Sequence, residues 1–251
     1  MAQLTQWLNA VNALVWGIPM VVLILGTGLY LQLRLGLLPL RKIGYGFRMI
    51  WQSRRVKEGQ AGDISPYAAL MTALSATVGT GNIAGVATAI AVGGPGALFW
   101  MWMTALVGMA TKYAEVVLAV RFREQNAQGR WVGGPMYAIK NGLGPHWRWL
   151  GTAFAVFGGL AGFGIGGMVQ SNGIATAMEG AFALPLWVSG VVLAALTAAV
   201  ILGGITRIGA VAEKLVPAMC VLYIVCVLWV LGVFFDRIPA AFELIITQAF
   251  A

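Results

Sequence analysis

Charge is scarce in this chain: eight acidic and sixteen basic side chains among 251 residues, 10% in all, where an average soluble domain carries about 25%. Set beside 60% hydrophobic residues, that scarcity excludes a soluble globular fold, because a chain of this length has one core and a large wet exterior. Lipid is the solvent that resolves the conflict. Cysteine is nearly missing too. Cys220 and Cys226 lie six apart in one apolar stretch, off a shared helix face, which predicts packing residues, with neither a disulfide nor a metal site. The single histidine, His146, lies in a polar loop. The chain also lacks a Gly-x-Ser-x-Gly elbow, a phosphate-binding loop and any Cys/His metal spacing. No base is placed to activate a serine or threonine nucleophile. The expectation is a membrane protein that is not an enzyme and carries no cofactor.

Long apolar runs are what the sequence has. Runs of about 20 such residues span a bilayer, and they predict spans at about 11–33, 65–92, 97–120, 150–178, 186–202 and 211–235, with the start of a further segment at 238–251. All fall in a single transmembrane domain, 1–251, of all-α class. No Lys or Arg precedes the first run and no small-residue cleavage site follows it, so it is expected to be a retained helix rather than a signal peptide. Between the first two spans, Ile43, Phe47, Ile50 and Trp51 recur at helical spacing in a basic stretch, which predicts a short interfacial amphipathic helix.

The net charge of +8 does not point to nucleic acid, because the basic residues sit in inter-span connections. Arg34, Arg41, Lys42, Arg48, Arg54, Arg55 and Lys57 lie between the first two spans. Arg121, Arg123, Arg130, Lys140 and Arg148 lie between the third and fourth, and Arg207 and Lys214 between the fifth and sixth. These connections alternate, so all fall on one side. The positive-inside rule makes that side the cytoplasm and puts the N-terminus outside, in a multi-pass protein of the cytoplasmic (inner) membrane. Lys112 is left inside the third span with Glu115 three residues on, a spacing that suits an ion pair on one helix face. Trp7, Trp149 and Trp187 sit near span ends, as an aromatic belt requires.

Two segments carry polar or glycine-rich chemistry at membrane depth. In the second span, Ser75-Ala76-Thr77-Val78-Gly79-Thr80-Gly81-Asn82 is poor material for a continuous helix. One reading is an unwound point. The helix half before it would end in free carbonyls able to hold Na⁺, and the half after it would begin with free N–H groups able to hold a carboxylate. The other is a glycine-rich packing face. In the fourth span, Gly158, Gly162 and Gly166 recur at intervals of four, which predicts a close helix crossing. Gln170 follows them, and its amide suits either a zwitterionic ligand or a neighbouring helix.

Gly93-Gly94-Pro95-Gly96-Ala97-Leu98-Phe99-Trp100-Met101-Trp102-Met103-Thr104-Ala105-Leu106-Val107-Gly108 resembles the signature of the alanine or glycine:cation (sodium:alanine) symporter family, here in its N-terminal part. So do VGTGNIAGVA (78–87), MATKYAEVVLAV (109–120) and GGPMYAI (133–139). The resemblance implies a LeuT-like fold of two inverted five-helix repeats, each opening with a broken helix. It implies that this chain holds the first repeat plus an extra N-terminal helix, cut short before the second. Gly79 to Asn82 resembles the Gly-x-Gly-Asn of such a broken helix. By that match the Asn82 side-chain oxygen and the carbonyls of Ser75, Thr77 and Val78 would hold Na⁺. Thr77 and the N–H groups of Gly79, Thr80 and Gly81 would meet the substrate, joined by Gln170 on grounds of depth and polarity. The function implied is sodium-coupled symport of a small neutral amino acid, alanine or glycine, by alternating access, its partners being that amino acid, sodium and the bilayer. The alternative is a structural or channel-forming subunit without coupled transport. A channel requires a continuous polar path, whereas the polar residues here gather at one break.

Overall fold

The computed structural model describes residues 2–52 and 64–250; Arg54, Arg55 and Lys57 of the basic stretch lie outside the described residues. The chain begins with α1 (Ala2–Val15) and α2 (Ile18–Arg34). Gly17 separates them, and Pro19 stands in the first turn of α2, where its missing N–H costs nothing. The apolar stretch therefore runs from Thr5 to Arg34, 30 residues, and is interrupted where the sequence suggested one span beginning near residue 11. Next come α3 (Leu38–Arg41) and α4 (Ile43–Gln52). Phe47 and Trp51 on α4 are 70% and 72% exposed, as befits a helix lying in an interface.

Pro66 and the Ser65 hydroxyl open α5 (Pro66–Thr77), the hydroxyl accepting from the Ala68 N–H at 3.0 Å. After a break comes one π-helical turn, Gly81–Gly85, that leads into α6 (Val86–Gly93). The two halves are bent by 48°. Then α7 (Gly96–Arg121) runs unbroken for 26 residues. A two-residue ladder, β1 (Glu124–Gln125) with β2 (Trp131–Val132), interrupts the helical pattern. Lys140 on α8 (Pro135–Gly142) grips it through Glu124 at 2.8 Å. That hydrogen bond, then one from Asn141, holds the Glu124 carboxyl below the usual glutamate range.

The second long run is α9 (Arg148–Ala161), a π-helical stretch Gly162–Met168, and α10 (Val169–Phe182). After it come α11 (Leu186–Ile201), α12 (Gly204–Val233) with Pro217 inside, and α13 (Ile238–Gln248). Among the described residues four helices are long and apolar enough to cross a membrane, and a fifth if the bent pair is one span. The 16 residues of α11 rise only about 24 Å, short of the ~30 Å hydrocarbon core.

Few side chains are buried among the described residues, and large side chains pack where a small residue faces them. Tyr67 and Met71 of α5 meet Ala212 and Val216 of α12, with Gly209 set against Ile64 and Ala68. On α2, Gly28 lies so near Val107 of α7 that an added Cβ would come within 2.5 Å of it. One turn on, the buried Gln32 donates to the Leu106 carbonyl at 2.8 Å. Elsewhere large apolar side chains point outward: Phe163 is 83% and Leu202 86% exposed. Such a surface is stable only with lipid or further protein against it. The glycine spacing in the fourth span is a correction. Among the described residues nothing lies within 4 Å of a Cβ built on Gly158, Gly162 or Gly166, so none of them makes a close crossing there. Glycines without side chains leave the helix easily widened, and it widens into a π-turn at 162–168, a feature that often marks functional sites.

Candidate substrate and ion site at the helix break

The break in the second span is narrow. The Val78 N–H still closes on the Leu74 carbonyl at 2.8 Å, but Val78 itself is extended, φ −87 and ψ 103. From there the ladder stops for a turn. Among the described residues no backbone N–H donates to the carbonyls of Ser75, Ala76, Thr77 or Val78. The next local bond is that of Asn82 N–H to the Gly79 carbonyl at 3.1 Å. Four carbonyl oxygens at the end of α5 are thereby left with their lone pairs, at the negative end of a helix dipole. The hydroxyls of Ser75 and Thr77 donate back into α5, to Thr72 at 2.7 Å and Ala73 at 2.9 Å. Their oxygens keep acceptor capacity.

Gln170, two residues past the π-helical stretch, is brought to the break. Its Oε1 accepts from the Thr80 N–H at 3.1 Å and from the Thr80 hydroxyl at 2.7 Å. Of the three N–H groups expected to face a carboxylate, that of Thr80 is thus already occupied by Gln170. Those of Gly79 and Gly81 have no partner among the described residues. The Gln170 amide nitrogen makes no hydrogen bond among the described residues, so its two N–H groups remain available next to them. Gly79 permits this approach: a Cβ there would stand 3.1 Å from Oε1 and 3.3 Å from Nε2 of Gln170. A Cβ on Gly81 meets nothing within 4 Å, so that glycine is not a packing glycine. Thr77, Gly81 and Asn82 are exposed, while Val78, Gly79, Thr80 and Gln170 are half-buried.

The eight candidate residues are therefore sorted by geometry. Thr80 and Gln170 form one hydrogen-bonded unit, with Gly79 packed against the amide. Ser75, Thr77 and Val78 supply the carbonyl end. Gly81 and the Asn82 side chain stand on the exposed side. Gly173 belongs to the unit and was not foreseen: its Cβ would lie 3.1 Å from the Thr80 methyl. Its position three residues after Gln170 puts it on the same helix face, a signal present in the sequence. Lys112 and Glu115 do pair, at 2.9 Å on α7.

A family model described as the sodium:alanine symporter family matches residues 1–251. The sodium/alanine symporter AgcS of Methanococcus maripaludis is 51% identical over 244 residues, 96% of this chain and 54% of the relative. The amino-acid carrier protein AlsT of Bacillus subtilis is 38% identical over 242 residues, 96% of this chain and 50% of the relative. An uncharacterized transporter of Escherichia coli, YaaJ, is 35% identical over 245 residues, 98% and 50%. The chain spans about half the length of these curated relatives.

Proposed function

The chain belongs to the sodium:alanine symporter family, and on that premise we propose that this multi-pass membrane protein carries out sodium-coupled uptake of a small neutral amino acid, alanine or glycine, with the break at Val78–Gly79 as the meeting point of ion and substrate. The observation that carries the reading is the pairing of unsatisfied carbonyls on one side of the break with free N–H groups on the other, beside the unused amide of Gln170. Irregular backbone at membrane depth is tolerated where it lines a cavity or is buried in protein.

Na⁺ would take the carbonyls of Ser75, Thr77 and Val78 with the Asn82 side-chain oxygen, all hard neutral donors. The amino-acid carboxylate would take the N–H groups of Gly79 and Gly81 and the Gln170 amide. From Pro66 to Thr111 the sequence holds no charged side chain. A cation at the break would therefore find its countercharge in the substrate carboxylate, and each ligand would favour the other by direct Coulomb attraction in a low-dielectric site. That mutual dependence is what couples the two fluxes. The enclosing architecture would be the LeuT-like one: this chain as the first repeat preceded by an extra helix, a second repeat forming the opposing wall, and alternating access by one bundle rocking against the other. The N-terminus would face outward across the cytoplasmic membrane. The test is uptake by proteoliposomes holding the full-length gene product. An inward sodium gradient should drive saturable alanine accumulation, and a potassium gradient should not. Equal accumulation with either ion removes the coupling, and unsaturable flux indicates a channel.

A further inference from the structure

A cleft of about 790 Å³ opens between α7 and the α3–α4 segment, away from the helix break. Lys112 contributes from α7. It lies nine residues before Arg121 at the helix end, about 13 Å deeper along the axis. Lys42 contributes from the junction of α3 and α4, and Tyr45 and Tyr113 add their hydroxyl-bearing rings; the remaining wall is apolar, including Met109 and Val116. Glu115 takes one hydrogen bond from the Lys112 ammonium but does not line this cleft. An ammonium has three donors, so two remain, and the Lys112 side chain is 64% exposed. Glu115 offsets one of the two positive charges, so the cleft keeps a net positive charge over an apolar wall, which a further anion would balance. Phe47 and Trp51 of α4, the helix that forms one wall of the cleft, are exposed, as on a helix suited to an interface.

We propose that this cleft binds an anionic phospholipid, its phosphate held between Lys42 and Lys112 and one acyl chain laid along Met109 and Val116. The volume falls in the roughly 300–1,000 Å³ range of small-molecule sites, and basic pockets between membrane helices are where anionic headgroups dock. A free phosphate would use the two ammoniums but leave the apolar wall idle; a zwitterionic lipid would present its own cation to the two lysines. Native mass spectrometry of the delipidated full-length gene product, offered phosphatidylglycerol and phosphatidylcholine of identical chains, tests this. Phosphatidylglycerol should be retained in preference. Lys42→Gln and Lys112→Gln should each reduce its retention about fivefold, the factor expected for one basic residue at a membrane surface. The Lys42→Arg/Lys112→Arg variant should keep it, separating charge from misfolding, and Arg130→Gln on the hairpin should change nothing. Millimolar inorganic phosphate should displace no lipid. Equal retention of both lipids, unchanged retention in the double glutamine variant, or full displacement by phosphate overturns the proposal.

Discussion

Gly79→Ala is the sharpest perturbation the break offers. The new Cβ would stand 3.1 Å from Gln170 Oε1, 3.3 Å from Nε2 and 3.5 Å from Cδ. The first two are closer than ordinary contacts, so the amide must retreat by a few tenths of an ångström. The same Oε1 accepts from the Thr80 N–H at 3.1 Å and the Thr80 hydroxyl at 2.7 Å, and retreat lengthens both. Two hydrogen bonds at roughly 0.5–1.5 kcal/mol each amount to about 1–3 kcal/mol, a factor of about 5–150 in affinity if the network pre-positions the substrate. The assay is equilibrium binding of labelled alanine in saturating sodium, for Gly79→Ala, Gln170→Ala and the pair together. If the alanine acts through Gln170, it should do little once Gln170 has been shortened, and the double-mutant cycle should return a coupling near the single effect. Additive losses would refute the reasoning, since the methyl would then be acting on something other than this amide.

Asn82→Ala should raise the sodium concentration for half-maximal uptake by roughly ten- to a hundredfold, taking one lost oxygen ligand as about 1.5–3 kcal/mol by analogy with hydrogen bonds to charged groups; unchanged sodium dependence at normal expression would remove Asn82 from the ion site. A Cβ at Gly96 would collide with the Gln248 carbonyl, so Gly96→Ala should loosen α13 from α7 and strain the 2.9 Å bond from the Trp100 indole N–H to the Ala249 carbonyl. A loss of about 1–3 kcal/mol corresponds to roughly 2–4 °C of melting temperature per kcal/mol at this size, and thermal unfolding in detergent with an α13 protease site checks it. A cysteine at Gln128, on the hairpin between α7 and α8, should react only with reagents that reach the cytoplasm; labelling from outside intact cells would reverse the orientation.

The break midway along the second span was legible as one of two readings, because Gly79, Gly81 and Asn82 gather there with Ser75 and the threonines. Its exact place, at Val78, depends on where the Gln170 amide lands, and that distance of 90 residues leaves no local trace. Of the two readings of Gln170, the structure shows the bond to a neighbouring segment, through its oxygen to Thr80. The four-residue glycine spacing at 158–166 misled for a physical reason. The same sequence that lets two helices touch also lets one helix widen, and which occurs depends on whether a partner is there. The interruption at Gly17 carried a signal in Gly17 and Pro19 that the surrounding hydropathy masked. Buried polar contacts such as Gln32 on the Leu106 carbonyl lie beyond periodicity altogether, because a glutamine at a span end looks like an interfacial residue until its partner helix is known.

Gly81→Leu tests the central claim most directly. Nothing lies within 4 Å of a Cβ at that position, so the added side chain begins in open space and should leave folding and membrane insertion intact. If sodium and the amino acid meet at the break, that space is theirs, and the variant should show no saturable, sodium-dependent alanine binding while melting near the wild-type temperature. Wild-type binding by Gly81→Leu would show that no ligand approaches the break.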